Sequence, residues 1–191
     1  MNRTPHPFEA LRRSRPGGPV DLSPRPARLS RTEIVQVMEL SDVNLAGNVH
    51  GGGIMRLADT AAGLAAGRHC GQRVVTAAMD EMTFLEPVLM GDILHVEAIV
   101  SEAFTTSVEV AVRVEVETVA HGDHRHVSSA YLVFVALDEN GRPAPVPPLI
   151  TETEEERVRQ AQANVRREQR LLRKKALLAA GVLRSKRADN W

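Results

Sequence analysis

Apolar and charged residues alternate almost without interruption from 106 to 118, where Val108, Val110, Val112, Val114 and Val116 interleave with Glu109, Arg113, Glu115 and Glu117. A period of two puts the valines on one face of a strand and the charges on the other. Residues 92–102 repeat the pattern with Leu94, Val96, Ala98 and Val100. Residues 74–81 and 127–137 read as two more strands, and Asp138-Glu139-Asn140-Gly141 ends the last with turn chemistry. Residues 31–40 are a first strand by their β-branched content. Alternation of this kind predicts a sheet covered on one face only, and therefore antiparallel.

Between the first strand and the others the period changes. Ile54, Leu57, Ala58, Ala61, Leu64 and Ala65 recur at spacings of three and four, predicting one helix over 54–69 with a buried stripe. Gly63 and Gly67 lie on it, each costing about 1 kcal/mol in a helix interior, and close approach by a sheet is the expected compensation. A single long helix followed by valine-faced strands implies an α+β fold with the sheet wrapped around the helix.

The two ends differ from this body. Residues 1–30 are rich in Pro, Arg, Gly and Ser without any apolar period, and read as a disordered arm. Prolines break the chain over 143–148. Thr151-Glu152-Thr153-Glu154 then has the pattern of a helix start, and acidic residues followed by basic ones match the helix dipole. Residues 151–191 therefore read as a C-terminal helix. Leu171, Leu172, Leu178, Val182 and Leu183 give it a modest stripe to pack on the domain or between subunits. The domain proper is 31–150.

Composition narrows the function. Of 191 residues, only 3% are aromatic, which argues against stacking platforms for nucleic acid. The formal charge of zero divides into basic ends and an acidic body, the reverse of a basic patch on a folded face. Cys70 is the single cysteine, so no intrachain disulfide forms and a reducing, cytoplasmic setting is expected. The prolines of the N-terminus oppose the amphipathic helix of a transit signal. No apolar run approaches the roughly 20 residues of a membrane helix.

The candidate chemistry lies at 41–59. Gly51, Gly52 and Gly53 precede the helix, and their N–H groups with the helix dipole suit a developing oxyanion; taken alone, a glycine run better describes a flexible turn. Asp59 stands between Leu57-Ala58 and Ala61-Ala62, where a carboxylate loses hydration unless paired and gains basicity. Spacing leaves open the other reading, a solvent-facing Asp in the first half of a helix.

The run NLAGNVHGGGIMRLADTAAGLAAGRHC, continued by VVTAAMDEMTFLEPVLMGDILHVEA, resembles the cytosolic acyl-CoA hydrolases of the hotdog superfamily. The likeness spans roughly 33–157. It rests on the combination of N-x-x-G-x-x-x-G-G, an Asp on the following helix, and F-x-x-P-x-x-x-G-D. The resemblance implies a hotdog fold and hydrolysis of acyl-CoA, with an Asn from the loop, here Asn44, and an Asp from the helix, here Asp59. It further implies that these two come from different protomers of a homodimer, with trimers of dimers as the larger assembly. No cofactor is implied beyond the coenzyme A of the substrate. Gly53 departs from the larger residue common in relatives, and the first thirty residues have no counterpart.

Other residues enter with plainer alternatives. Gly52, with Gly51, is the candidate oxyanion donor. His50 is a candidate substrate contact or a loop-packing side chain, and Thr76 of the V-V-T segment is a candidate neighbour of the site. Arg68 and Arg73 are candidate partners for coenzyme A phosphates, as are Arg166, Arg167 and Lys174 from a neighbouring subunit; solvation is the competing reading. His121, His124 and His126 read as a solvated hairpin turn, and no metal is expected. Cys70 reads as a structural thiol. Two rivals remain in view: an acyl-CoA-sensing regulator, for which residues 1–30 are too proline-rich to supply a DNA-binding helix, and a dehydratase, which would have to use His50.

Overall fold

The computed structural model describes residues 20–80, 82–119 and 122–182. Its elements are β1 (Arg25–Pro26), a 3₁₀ turn (Ala27–Ser30), β2 (Thr32–Val37), a second turn (Leu40–Asp42), α1 (Gly51–Cys70) and β3 (Arg73–Met79). These are followed by β4 (Thr83–Phe84), β5 (Ile93–Ala103), β6 (Ser107–Thr118), β7 (Asp123–Leu137), β8 (Leu149–Ile150) and α2 (Glu154–Ala179). The main sheet is antiparallel in the order β2-β5-β6-β7-β3, with β4 also paired to β7.

The alternation does what its period demands. The five valines of β6 are buried together with Leu94, Val96, Ala98 and Val100 of β5 and Ala130, Leu132, Phe134 and Ala136 of β7. Helix α1 lays Ile54, Leu57, Ala58, Ala61, Ala62, Ala65 and Ala66 against that face, forming one continuous core. The α+β wrapped sheet is as expected. Leu64 falls outside the stripe and is half exposed. The alanines bring helix and sheet together, and the glycines do not. A Cβ at Gly63 would meet the Phe134 ring at 3.5 Å, an ordinary contact, and one at Gly67 would meet nothing within 4 Å.

The arm read over 1–30 ends earlier than expected; residues 1–19 lie outside the described residues. Arg25 N–H donates to the Pro148 carbonyl at 2.9 Å, pairing β1 with β8. The Arg25 guanidinium donates to the carbonyls of Arg68 and His69 at 3.2 and 2.8 Å. It thereby caps the end of α1, where Gly71 turns left-handed at φ 65°. A cation on those terminal carbonyls satisfies them and complements the dipole. Ser30 is buried, and its hydroxyl accepts the Val100 N–H at 2.9 Å. This partner is seventy residues away, so composition alone did not reveal it.

The expectation of a sheet covered on one face only also fails. Helix α2 lies on the outer face, where Glu109, placed in water by the alternation, is fully buried. Its carboxylate accepts hydrogen bonds from Arg166 at 2.6 and 3.0 Å and from Arg170 at 2.8 Å. Arg170 also pairs with Asp80 just beyond β3. Glu102 accepts from Gln160 and Asn164, while Arg166 and Arg167 lie over the rings of Tyr131 and Phe104 at 3.5 and 4.0 Å. The leucine stripe does not pack on the domain of its own chain, one of its two expected uses: Leu171, Leu172 and Val182 are exposed, and Ala163 is the buried apolar residue of α2. Leu183 lies outside the described residues. The helix start itself is a capping box, Thr153 with Glu156. Among the described residues, no helix is long and apolar enough to cross a membrane.

Candidate active site

The loop before α1 is tightly tied. Asn44 N–H donates to the Asn48 carbonyl at 2.7 Å, and Gly47 N–H donates to the Asn44 carbonyl at 3.0 Å. Gly47 has φ 85°, a conformation costly for any residue with a Cβ. Asn44 Oδ1 accepts the N–H groups of Ala46 and Asn48 at 2.8 and 3.3 Å. Its side-chain oxygen is thus spent in its own loop, leaving the Nδ2 donors without a partner among the described residues.

The second motif buttresses this loop. Val49 N–H donates to the Val88 carbonyl at 2.8 Å, and Asn48 bridges to Leu89. Asp92 Oδ2 accepts the Leu89 N–H at 2.9 Å and Arg125 at 3.1 Å, stapling the turn in which Gly91 takes φ 90°. Phe84 completes it: a Cβ on Gly51 would lie 3.4 Å from its ring. Residues 84–92 therefore hold the glycine loop in place, which explains why the two motifs occur together.

Helix α1 begins at Gly51, three residues before the expected start. The His50 carbonyl accepts the N–H groups of Gly53 and Ile54 at 2.9 and 3.2 Å. The amides of Gly51 and Gly52 have no acceptor among the described residues, and Gly52 is exposed. Two unpaired N–H groups at the positive end of a twenty-residue helix form an anion-seeking site. The His50 ring is exposed and takes no hydrogen bond in the described structure.

Asp59 lies on the same helix face as Gly52. Seven residues, nearly two full turns, place it roughly 10 Å along the axis, with its side chain leaning back toward the N-terminus. It is half-buried, a wetter setting than hydropathy implied. Thr76 Oγ1 donates to Asp59 Oδ1 at 2.7 Å. Thr76 reaches it from edge strand β3, where the pairing with β7 slips between Thr76 and Ala78. Such a bulge re-aims side chains.

The remaining candidates disperse. Arg68 sits at the far end of α1 and donates to the Arg31 carbonyl at 2.6 Å and Thr32 Oγ1 at 2.9 Å, so it braces β2. Arg73 opens β3, exposed. Arg166 and Arg167 are engaged with the sheet of their own chain, and Lys174 is exposed. Burial pushes the Cys70 thiol up to about 12, so it supplies no thiolate. His121 lies outside the described residues. His124 and His126 belong to β7, which starts four residues earlier than expected, and His124 approaches His95 and Glu117. Sequence reading missed that grouping because its members come from three strands.

The thioesterase superfamily profile matches residues 46–120. An acyl-CoA thioester hydrolase of Bacillus subtilis, described as uncharacterised, is 41% identical over 115 residues, covering 60% of this chain and 67% of that protein. The cytosolic acyl coenzyme A thioester hydrolase of Rattus norvegicus is 33% identical over 142 residues; these cover 72% of this chain but 37% of the rat protein, so the chain spans little more than a third of its length. The acyl-CoA hydrolase of Staphylococcus aureus, solved with butyryl coenzyme A and coenzyme A, superposes with TM-score 0.75 at 32% identity, covering 83% of this chain and 99% of that one. Its Asn→Ala, Asp→Ala and Thr→Ala variants have been solved, at positions spaced by fifteen and seventeen residues, as Asn44, Asp59 and Thr76 are here. A hexameric acyl-CoA thioesterase superposes with TM-score 0.77 at 34% identity, covering 79% of this chain and 97% of that one.

Proposed function

We propose that this chain, which belongs to the acyl-CoA hydrolases of the hotdog thioesterase superfamily, cleaves acyl-CoA thioesters to a free carboxylic acid and coenzyme A. The observation that carries the reading is the hydrogen bond from Thr76 to Asp59, which holds one carboxylate oxygen and leaves the other for water. Asp59 takes a proton from that water as it attacks the thioester carbonyl carbon. The N–H of Gly52, with that of Gly51, holds the oxyanion in the tetrahedral intermediate. Collapse breaks the C–S bond, and the thiolate of coenzyme A leaves. Direct attack by Asp59, through a transient anhydride, is the second form of the same step.

In this reading the Asn44 loop of one protomer works on the Asp59 of its partner. The protomer itself supports that arrangement: no hydrogen bond joins Asn44 to Asp59 within the described residues. Strand β3 ends the sheet, with an exposed edge suited to pairing with a second chain. Leu45, Met55, Phe84, Leu89 and Met90 are large apolar side chains left exposed around the glycine loop. A homodimer is therefore the proposed catalytic unit, with a trimer of dimers as the larger assembly and the cytoplasm as its setting. No cofactor enters this reading beyond the coenzyme A carried by the substrate.

A free-thiol assay over a series of acyl-CoA chain lengths tests the reading. Hydrolysis should appear as stoichiometric release of coenzyme A, and should fall by orders of magnitude in Asp59→Asn. Tight acyl-CoA binding without thiol release would instead identify a sensor.

A further inference from the structure

The outer face of the sheet, away from α1, carries a second constellation. His95 on β5, Glu117 on β6 and His124 on β7 alternate with fully buried Leu94, Val96 and Val116, so they point to the side opposite the core. Glu117 and His124 are direct cross-strand partners. His95 Nε2 lies 3.2 Å from Glu117 Oε2, and His124 Nε2 lies 3.8 Å from the same oxygen. All three ligand atoms fall within 4.8 Å of one another.

We propose that His95, Glu117 and His124 bind one divalent transition-metal ion, Zn²⁺ by ligand type, on this outer face. Two imidazoles and a carboxylate are nitrogen and oxygen ligands that suit zinc. A tetrahedral site with bonds of about 2.1 Å has ligand-to-ligand edges of roughly 3.4 Å, and 3.2 and 3.8 Å bracket that value. The second nitrogen of His95 is already occupied, because Nδ1 lies 3.3 Å from Glu33 Oε1 on β2. A carboxylate on the outer nitrogen fixes the tautomer and strengthens the inner one as a ligand. Glu33 and Glu117 also concentrate negative charge beside two imidazoles, which a cation offsets. Such an ion would pin β5, β6 and β7 together near the C-terminal end of β6. It would lie across the sheet from Asp59, as a structural site outside the hydrolytic chemistry.

Calorimetric titration of ZnCl₂ into the EDTA-stripped full-length protein tests the site. The expected result is one saturable site per chain, with a zinc-dependent rise in Tm. His95→Ala and His124→Ala should each abolish it, and Glu33→Gln should weaken it by about 10–100-fold while keeping the stoichiometry. Thermal melts without zinc, close to wild type, would establish that the variants fold. Absence of saturable binding, or binding unchanged in the His95→Ala/His124→Ala double variant, overturns the proposal. In that case the cluster is an ion-pair network only.

Discussion

Thr76 Oγ1 donates to Asp59 Oδ1 at 2.7 Å, joining the edge strand to the single carboxylate of the central helix. In the proposed mechanism the hydroxyl orients an acceptor and the carboxylate takes the proton, so the two residues should fail differently. Asp59→Asn removes the base and should lower kcat by about 10²–10⁴-fold with Tm nearly unchanged. Thr76→Ala frees the carboxylate and should cost less, whereas Thr76→Ser should restore most of the loss. Near-full hydrolysis by Asp59→Asn would remove Asp59 from the mechanism.

Much of this was readable where the information is local. The β6 valines, the α1 stripe and the glycine loop follow from periods and spacings within one segment, and Asp59 and Thr76 follow from family motifs. What was missed depends on a distant partner. Glu109 was assigned to water because alternation identifies a face and says nothing of what covers it; the cover, Arg166 and Arg170, lies more than fifty residues away. Arg25 looked like part of a tail until its carbonyl partners at Arg68 and His69 were in place. Arg68, for which phosphate contact and solvation were both open, is engaged instead by Arg31 and Thr32 at the start of β2, thirty-six and more residues away.

The oxyanion assignment rests on an amide, and an amide can be deleted. A Cβ at Gly52 would meet nothing within 4 Å, so Gly52→Ala keeps the N–H and should preserve hydrolysis within a few-fold. Gly52→Pro removes the N–H at a first-turn position where proline is tolerated. It should lower kcat by about 10²–10³-fold, the usual cost of one oxyanion donor. Circular dichroism checks that the helix survives. Equal rates for both variants would exclude the Gly52 amide.

Glu109 carries its charge with no solvent exposure, matched by Arg166 and Arg170 from α2. Removing both cations strands a buried carboxylate, so Arg166→Met/Arg170→Met should destabilise the fold by about 3–5 kcal/mol. Adding Glu109→Leu to that pair removes the stranded charge and should recover much of the loss. Urea unfolding at one fixed protein concentration measures both steps. A triple variant no more stable than the double would mean that α2 is held by its other contacts.

His69 links stability to acidity. It is buried, its Nε2 lies 2.9 Å from the Pro147 carbonyl, and its Nδ1 has no partner. The Nε2–H tautomer satisfies that carbonyl, and the neutral ring is the form that fits. Burial, opposed by the bond to Pro147, holds the folded-state pKa below the ordinary 6.5. The unfolded chain therefore binds a proton at higher pH than the folded chain does. The contribution of His69 is fully present above 6.5 and is lost as pH falls below it through the folded-state value. His69→Gln keeps an N–H for Pro147 without a titrating ring. Its Tm should therefore fall less than that of the wild type between neutral and mildly acidic pH, and parallel Tm profiles for the two proteins would exclude His69 as the source of acid sensitivity.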